Sequence, residues 1–293
     1  MNIGKLVSPN RVVTVPCGQC IGCRFDQARS WAIRCVHEAQ FHKKNSFLTL
    51  TYDDEHLPED GGLDVRHWKN FAKQVRNKIG KFRYYHCGEY GGDTMRAHYH
   101  ACIFGLDFCE DREICEMSDS GFPVYTSKSL SACWPHGYAW IGEFTFDTAS
   151  YVARYCMKKL TGERAIEYGG IKPDYSTMST RPGGLGYLWY RKYGEQAHYM
   201  DSINLNAAEM PMPRYYDRLL EKDHPEVLER LKEARIEKSK RWENDQTEER
   251  LTIRERCKQS QGIGQTRHTN TSYIEARVRQ KPGIPGRRIE DYY

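Results

Sequence analysis

The chain has 293 residues, 39% of them apolar and 28% charged, with 44 Lys and Arg against 39 Asp and Glu for a formal net charge of +5. That is enough apolar material for one large domain or two modest ones, and the mild positive balance admits a nucleic-acid partner without requiring one. No run of roughly 18 apolar residues occurs, which excludes a membrane partner; eleven cysteines and no apolar stretch in MNIGKLVSPN predict a cytoplasmic protein with free or metal-bound thiols.

In chain order, residues 1–23 read as irregular and contain PCGQCIGC. Cys17, Cys20 and Cys23 form C-x2-C-x2-C, a spacing that lets thiolates converge on one ion. A structural Zn2+ completed by Cys35 or His37 accounts for it, and so do free thiols packing a tight loop. From Phe25 to Phe41, apolar Trp31, Ile33, Cys35, Val36 and Ala39 recur at helical spacing. Ser46–Tyr52 alternates as a strand, with Thr49 and Thr51 either facing DNA phosphates or simply lining a core strand. Asp64–Ile79 reads as an amphipathic helix with Asp64 as N-cap and Gly80 as stop. Lys81–Tyr90, the turn GGDTMR and the strand in RAHYHACIFG make a hairpin. Residues 107–136 read as a polar insertion with a short helix near SKSLSACW. Gly137–Phe144 is a further strand, and Asp147–Leu160 a helix with Asp147 as candidate N-cap. In the Gly-rich, aromatic segment 161–205, GYLWYRKY either covers the sheet or stacks on unpaired bases, with Arg191 and Lys192 on the backbone. A charged helical stretch starts near Arg214, and beyond Thr247 the chain is polar and nearly free of large apolar residues.

This mixed order predicts an α+β fold: a central, mostly antiparallel sheet with helices on one face and the other face free for substrate. Three segments are expected: a Cys-rich N-terminal segment with the first helix (1–45), a core (46–213) and a charged C-terminal region (214–293).

Two patterns carry chemistry. His98 and His100 lie two apart in a strand and project to one face. They are either hydrogen-bonded buried histidines or ligands of an ion. Tyr151 and Tyr155 lie four apart on one helix face, with Lys158 and Lys159 a turn further on. Alone, these tyrosines read equally as core residues of an amphipathic helix. Combined, the patterns suggest attack on a phosphodiester. A phenol of pKa roughly 10 is a weak nucleophile, and a divalent ion on His98, His100 and a carboxylate can mask the phosphate charge. No G-x-x-x-x-G-K-[ST] occurs, so no nucleotide cofactor is expected.

These residues resemble the HUH endonucleases, in which two histidines flanking a bulky residue hold a metal near one or two catalytic tyrosines. More closely, the chain resembles the rolling-circle replication initiators of small single-stranded DNA phages, the Microviridae and particularly the gokushovirus group. The stretches that carry this are PCGQCIGCR, FLTLTYDDEHLP, YHCGEYGG, RAHYHACIFG, YVARYCMKKLTG, STMSTRPGGLGYLWY and MPRYYD, in that order across roughly residues 16–217. Ala97 departs from the pattern, standing where a proline is expected. The resemblance implies an HUH endonuclease core of ferredoxin/RRM-like type, with His98 and His100 as metal ligands, Tyr151 and Tyr155 as the nucleophile pair, and Lys158 or Lys159 as supporting cation. Glu89, ending the neighbouring strand, is the preferred third ligand and His86 the alternative. Mn2+ or Mg2+ suits two nitrogens and an oxygen. The implied reaction is tyrosine transesterification at an origin, leaving a 5′-phosphotyrosine link and a free 3′ hydroxyl, then rejoining of unit-length circles. The implied partners are single-stranded or unwound origin DNA and the host helicase and polymerase, in the bacterial cytoplasm. Two alternatives are a transposase or relaxase of the same chemistry and a non-catalytic, zinc-stabilised nucleic-acid-binding protein.

Overall fold

A computed structural model of the chain describes residues 3–8, 11–16, 21–91, 96–118, 121–158, 172–205 and 208–243. They fall into two compact units, within Met1–Arg191 and within Lys192–Tyr293. No helix among the described residues is long and apolar enough to cross a membrane.

The first unit opens with a hairpin of β1 (Ile3–Ser8) and β2 (Arg11–Pro16). The expectation of irregular chain over residues 1–23 is therefore corrected: IGKLVS and RVVTVP pair as strands, and α1 (Ile21–Ala39) begins inside the cysteine-bearing segment. The central sheet is built from β3 (Asn45–Tyr52), β4 (Arg83–Tyr90), β5 (Ala97–Phe104), β6 (Arg112–Met117), β7 (Pro123–Ser127), β8 (Gly137–Gly142) and β9 (Tyr175–Met178). Its order is β6-β7-β8-β3-β5-β4-β9, and every neighbouring pair is antiparallel. The α+β, antiparallel expectation holds.

The period of two divides the sheet residues between its faces. Leu48, Leu50, Tyr52, Tyr99, Ala101, Ile103, Ala139 and Ile141 share one core with Trp68, Phe71, Ala72 and Val75 of α2 (Val65–Lys78). Tyr85, Cys87, Cys102 and Phe104 share the opposite core with Ala28, Ala32 and Cys35 of α1 and Ala149, Val152 and Ala153 of α4 (Phe146–Lys158). Helices thus cover both faces, which revises the expectation of one covered and one free face. The alanine-rich contact surfaces of α1 and α4 let their backbones approach closely over β4 and β5.

Local chemistry fixes the element ends. The Asp64 side chain accepts from the Arg66 amide at the start of α2, as its capping position predicts. At the start of α4 the cap is Thr145, not Asp147. Its hydroxyl accepts from the Thr148 amide at 3.1 Å, and the Thr148 hydroxyl accepts from the Thr145 amide at 2.8 Å. Asp147 instead lies in the first turn. Gly137 opens β8 with φ +144, and a Cβ there would stand 2.4 Å from the Asp53 amide nitrogen. The polar insertion over 107–136 contains β6, β7 and α3 (Lys128–Ser131).

The STRPGGLG stretch is held by a buried ion pair. Arg83 Nε lies 2.6 Å from Glu38 Oε1. The Arg83 guanidinium also donates to the carbonyls of Arg181, Pro182 and Gly183. Glu38 Oε2 accepts from the Gly186 amide at 2.8 Å. Burial pushes the Glu38 carboxyl up, but bonds from His42 and Gly186 and the Arg83 charge pull it below its ordinary value.

The second unit holds the end of α5 (Tyr187–Met200), the hairpin β10 (Ser202–Leu205) and β11 (Ala208–Pro211), α6 (Arg214–Asp223) and α7 (Pro225–Glu243). Arg235 of α7 donates to both Asp201 and Asp217, tying the turn before β10 to α6.

Candidate metal centre

The register of the antiparallel sheet sets two rows of side chains on the face that α1 and α4 partly cover. One row runs Tyr138–Thr51–His98–Glu89, the other Trp140–Thr49–His100–Cys87. Residues directly opposite in antiparallel strands share a face, so both histidines and Glu89 point the same way. Glu89 Oε1 lies 2.8 Å from His98 Nε2 and 3.0 Å from His100 Nε2. The Glu89 side chain is fully buried, and those of His98 and His100 are 13% and 8% exposed.

Each imidazole is oriented from behind. The Arg96 carbonyl is 3.0 Å from His98 Nδ1 and can only accept, so Nδ1 carries a proton. The Thr49 hydroxyl is 3.0 Å from His100 Nδ1, and it accepts from Nδ1–H in the tautomer that turns the Nε2 lone pair inward. Phe47 stacks on the His100 ring at 5.5 Å and 14°.

This arrangement calls for positive charge at its centre. With Nδ1 of His98 protonated, its Nε2 is an electron pair 2.8 Å from a carboxylate oxygen. Such a contact is favourable only with a proton or a cation between them. Burial pushes the Glu89 carboxyl up, yet bonds from His100 and His98 outweigh it and hold the group at about 2. The carboxylate is thus ionised at neutral pH. Among the described residues these three form the one group of His, Cys, Asp and Glu ligand atoms all within 4.8 Å of one another. The buried cluster can bind a metal ion. Two imidazole nitrogens and a carboxylate oxygen match the donor preferences of Mn2+, and three ligands leave positions for a substrate.

His86, the alternative third ligand, is on the opposite face. Its ring stacks on Trp68 at 3.8 Å and its Nδ1 bonds the Thr177 hydroxyl at 2.8 Å. Burial lowers it to about 3, so it is a neutral core histidine. The odd spacing between positions 86 and 89 on one strand separates them.

Tyr151 of α4 is half-buried beside the centre. Its ring meets that of His100 edge-on, with centroids 5.0 Å apart at 86°, and that of Phe47 at 6.2 Å and 82°. Tyr155 and Lys158 continue the α4 backbone, but their side chains, and Lys159 altogether, lie outside the described residues. Thr51 occupies the His98 row. Arg191 and Lys192 are exposed on α5. Cys17 and Cys20 lie outside the described residues, and Cys23 is half-buried in α1. Neither Cys35 nor His37 can join Cys23 around an ion, because Cys35 alone is about 18 Å further along the same helix. Cys35 packs in the core and His37 stacks on Trp189 at 3.7 Å.

The sequence pattern missed two supports of the centre. Thr49 was legible as a residue sharing the histidines' face, but not as the partner of His100. Phe47, reached through the period of two from Thr49, gave no signal beyond being aromatic.

Residues 45–160, from β3 to the end of α4, match the family model for replication-associated protein ORF2. Replication-associated protein VP4 of Bdellovibrio phage phiMH2K is 38% identical over 221 residues, covering 72% of this chain and 69% of the relative. Replication-associated protein ORF2 of Spiroplasma virus 4 is 33% identical over 244 residues, covering 78% and 75%. Replication-associated protein ORF4 of Chlamydia phage 1 is 30% identical over 222 residues, covering 71% and 54%. No solved structure matches the chain.

Proposed function

Because this chain belongs to the family of phage replication-associated proteins, we propose that it initiates rolling-circle replication by nicking single-stranded or unwound origin DNA. The observation that carries this reading is the convergence of Glu89, His98 and His100 on a sheet face where the Tyr151 ring stands 5.0 Å from that of His100.

The donor set fits Mn2+ or Mg2+, held by the Glu89 carboxylate and the two Nε2 atoms; when bound, the ion supplies neutralisation of phosphate charge. Tyr151 Oη is the nucleophile. The Oη–P bond forms as the P–O3′ bond breaks. The phenol loses one proton and the departing 3′ oxygen gains one, so no net proton and no nucleotide cofactor is consumed. The bond energy is retained in the 5′-phosphotyrosine link, and a 3′ hydroxyl can reverse it. Tyr155, one turn along α4, cuts the regenerated origin while Tyr151 holds the first end, which closes a unit circle. Lys158 or Lys159 supports the phenolate. Thr49 and the Arg96 carbonyl keep both imidazoles aimed inward.

The host helicase and polymerase provide unwinding and synthesis, because the chain has no phosphate-loop motif. The cysteines at 17, 20 and 23 serve structure, through Zn2+ or as packed thiols. A non-catalytic binding protein has no use for a carboxylate and two imidazoles converging beside a phenol. A transposase or relaxase is disfavoured by relatives that are named as replication-associated proteins.

The test is incubation of the full chain with labelled origin oligonucleotide and Mn2+, read on a denaturing gel. A slow-migrating protein–DNA band is expected, lost in the Tyr151→Phe plus Tyr155→Phe variant. Binding without any covalent band in the wild type contradicts the reading.

A further inference from the structure

We infer that Tyr138 and Trp140 of β8 form a stacking platform for the unpaired bases that flank the phosphate held at the Glu89/His98/His100 centre. This rests on the proposed nicking of single-stranded DNA and extends it to how the strand is seated.

Tyr138 and Trp140 are two apart on one strand, so they share a face. Their rings stack with centroids 5.6 Å apart at 18°, and Tyr138 is 59% exposed. Register fixes where that face leads. Tyr138 lies opposite Thr51, which lies opposite His98; Trp140 lies opposite Thr49, which lies opposite His100. The platform and the metal centre therefore occupy the same sheet surface, two strand spacings or roughly 10 Å apart. Cover is uneven across that surface. The α1/α4 core includes residues of β4 and β5, whereas Tyr138 on β8 stays in solvent. A strand with one phosphate at the centre therefore runs over Thr49 and Thr51 onto two aromatic rings.

The occupant follows from this continuity. Unpaired bases have apolar faces that stack on tyrosine and tryptophan whatever the sequence, and a duplex offers no such faces. Folding alone gives no reason to place two flush rings on the open end of the active face, where an apolar side chain gains little from burial.

The experiment uses the full chain, a mixed-sequence single-stranded oligodeoxynucleotide carrying 2-aminopurine, and EDTA, so that no cleavage is needed. Wild type should quench the fluorescence. Tyr138→Ala and Trp140→Ala should lose the quench and bind roughly tenfold more weakly, with an unchanged salt slope because phosphate contacts are untouched. Tyr138→Phe should restore both. Tyr138 is exposed enough that its replacement leaves the fold intact, which covers the case of an unfolded Trp140→Ala protein. The platform is overturned if the wild type gives no quench, or if folded alanine variants quench and bind like wild type. It is also overturned if those variants abolish only self-association in light scattering. A wild type that quenches yet never nicks would remove the nicking reading and leave the platform standing.

Discussion

At the scale of single residues, the centre depends on partners that are not ligands. Thr49 holds His100 through a 3.0 Å contact to Nδ1. Thr49→Val keeps the shape and removes that contact, so Mn2+ affinity in a calorimetric titration should fall about 10- to 100-fold. His86→Gln, on the other face of the sheet, should leave Mn2+ affinity unchanged; a comparable loss there would contradict Glu89 as the third ligand. The sequence resolved this site unevenly for a physical reason. His98 and His100 share a face by strand period alone, whereas the choice between Glu89 and His86 needs the parity of β4 against β5. That parity is set by hairpin register, and the turn chemistry of GGDTMR does not determine it.

At the scale of elements, α2 and β3 to β5 were legible because each buries one regular stripe, and Asp64 caps α2 as its position predicts. The strands β6 and β7 were missed: β6 is exposed along its whole length, so no alternation marks it. The hairpin of β1 and β2 was overlooked because the cysteine spacing dominated the reading of that region. The Gly-rich loop before α5 was legible only as a motif, since what fixes it comes from elsewhere in the chain: Glu38 on α1 and Arg83 on β4. The Glu38 side chain is 1% exposed and that of Arg83 is 15% exposed. Arg83→Leu strands a buried carboxylate and should cost about 3–5 kcal/mol in urea unfolding, with Glu38→Gln added in the same chain recovering part of it. Equal stabilities for the single and double variants would show that the pair does not couple.

At the scale of the whole molecule, buried histidines couple stability to pH. Burial lowers His37 and His86 to about 3, against 6.5 when unfolded. Between those values the unfolded chain binds protons that the folded chain refuses, so stability falls as pH drops below about 6.5. Unfolding free energy should be on the order of 3 kcal/mol lower at pH 5 than at pH 7, and His86→Phe should flatten that slope. The same molecule must bring one phosphate to both an ion and a phenol, across strands β4 and β5 and helix α4. That requirement is tested most directly by digesting the covalent product of wild-type protein, Mn2+ and origin oligonucleotide, and locating the nucleotide by mass spectrometry. The account predicts phosphotyrosine on Tyr151 or Tyr155, absent with EDTA or in His98→Ala and His100→Ala proteins. A link to any other residue, or one that forms undiminished without the histidines, would contradict it.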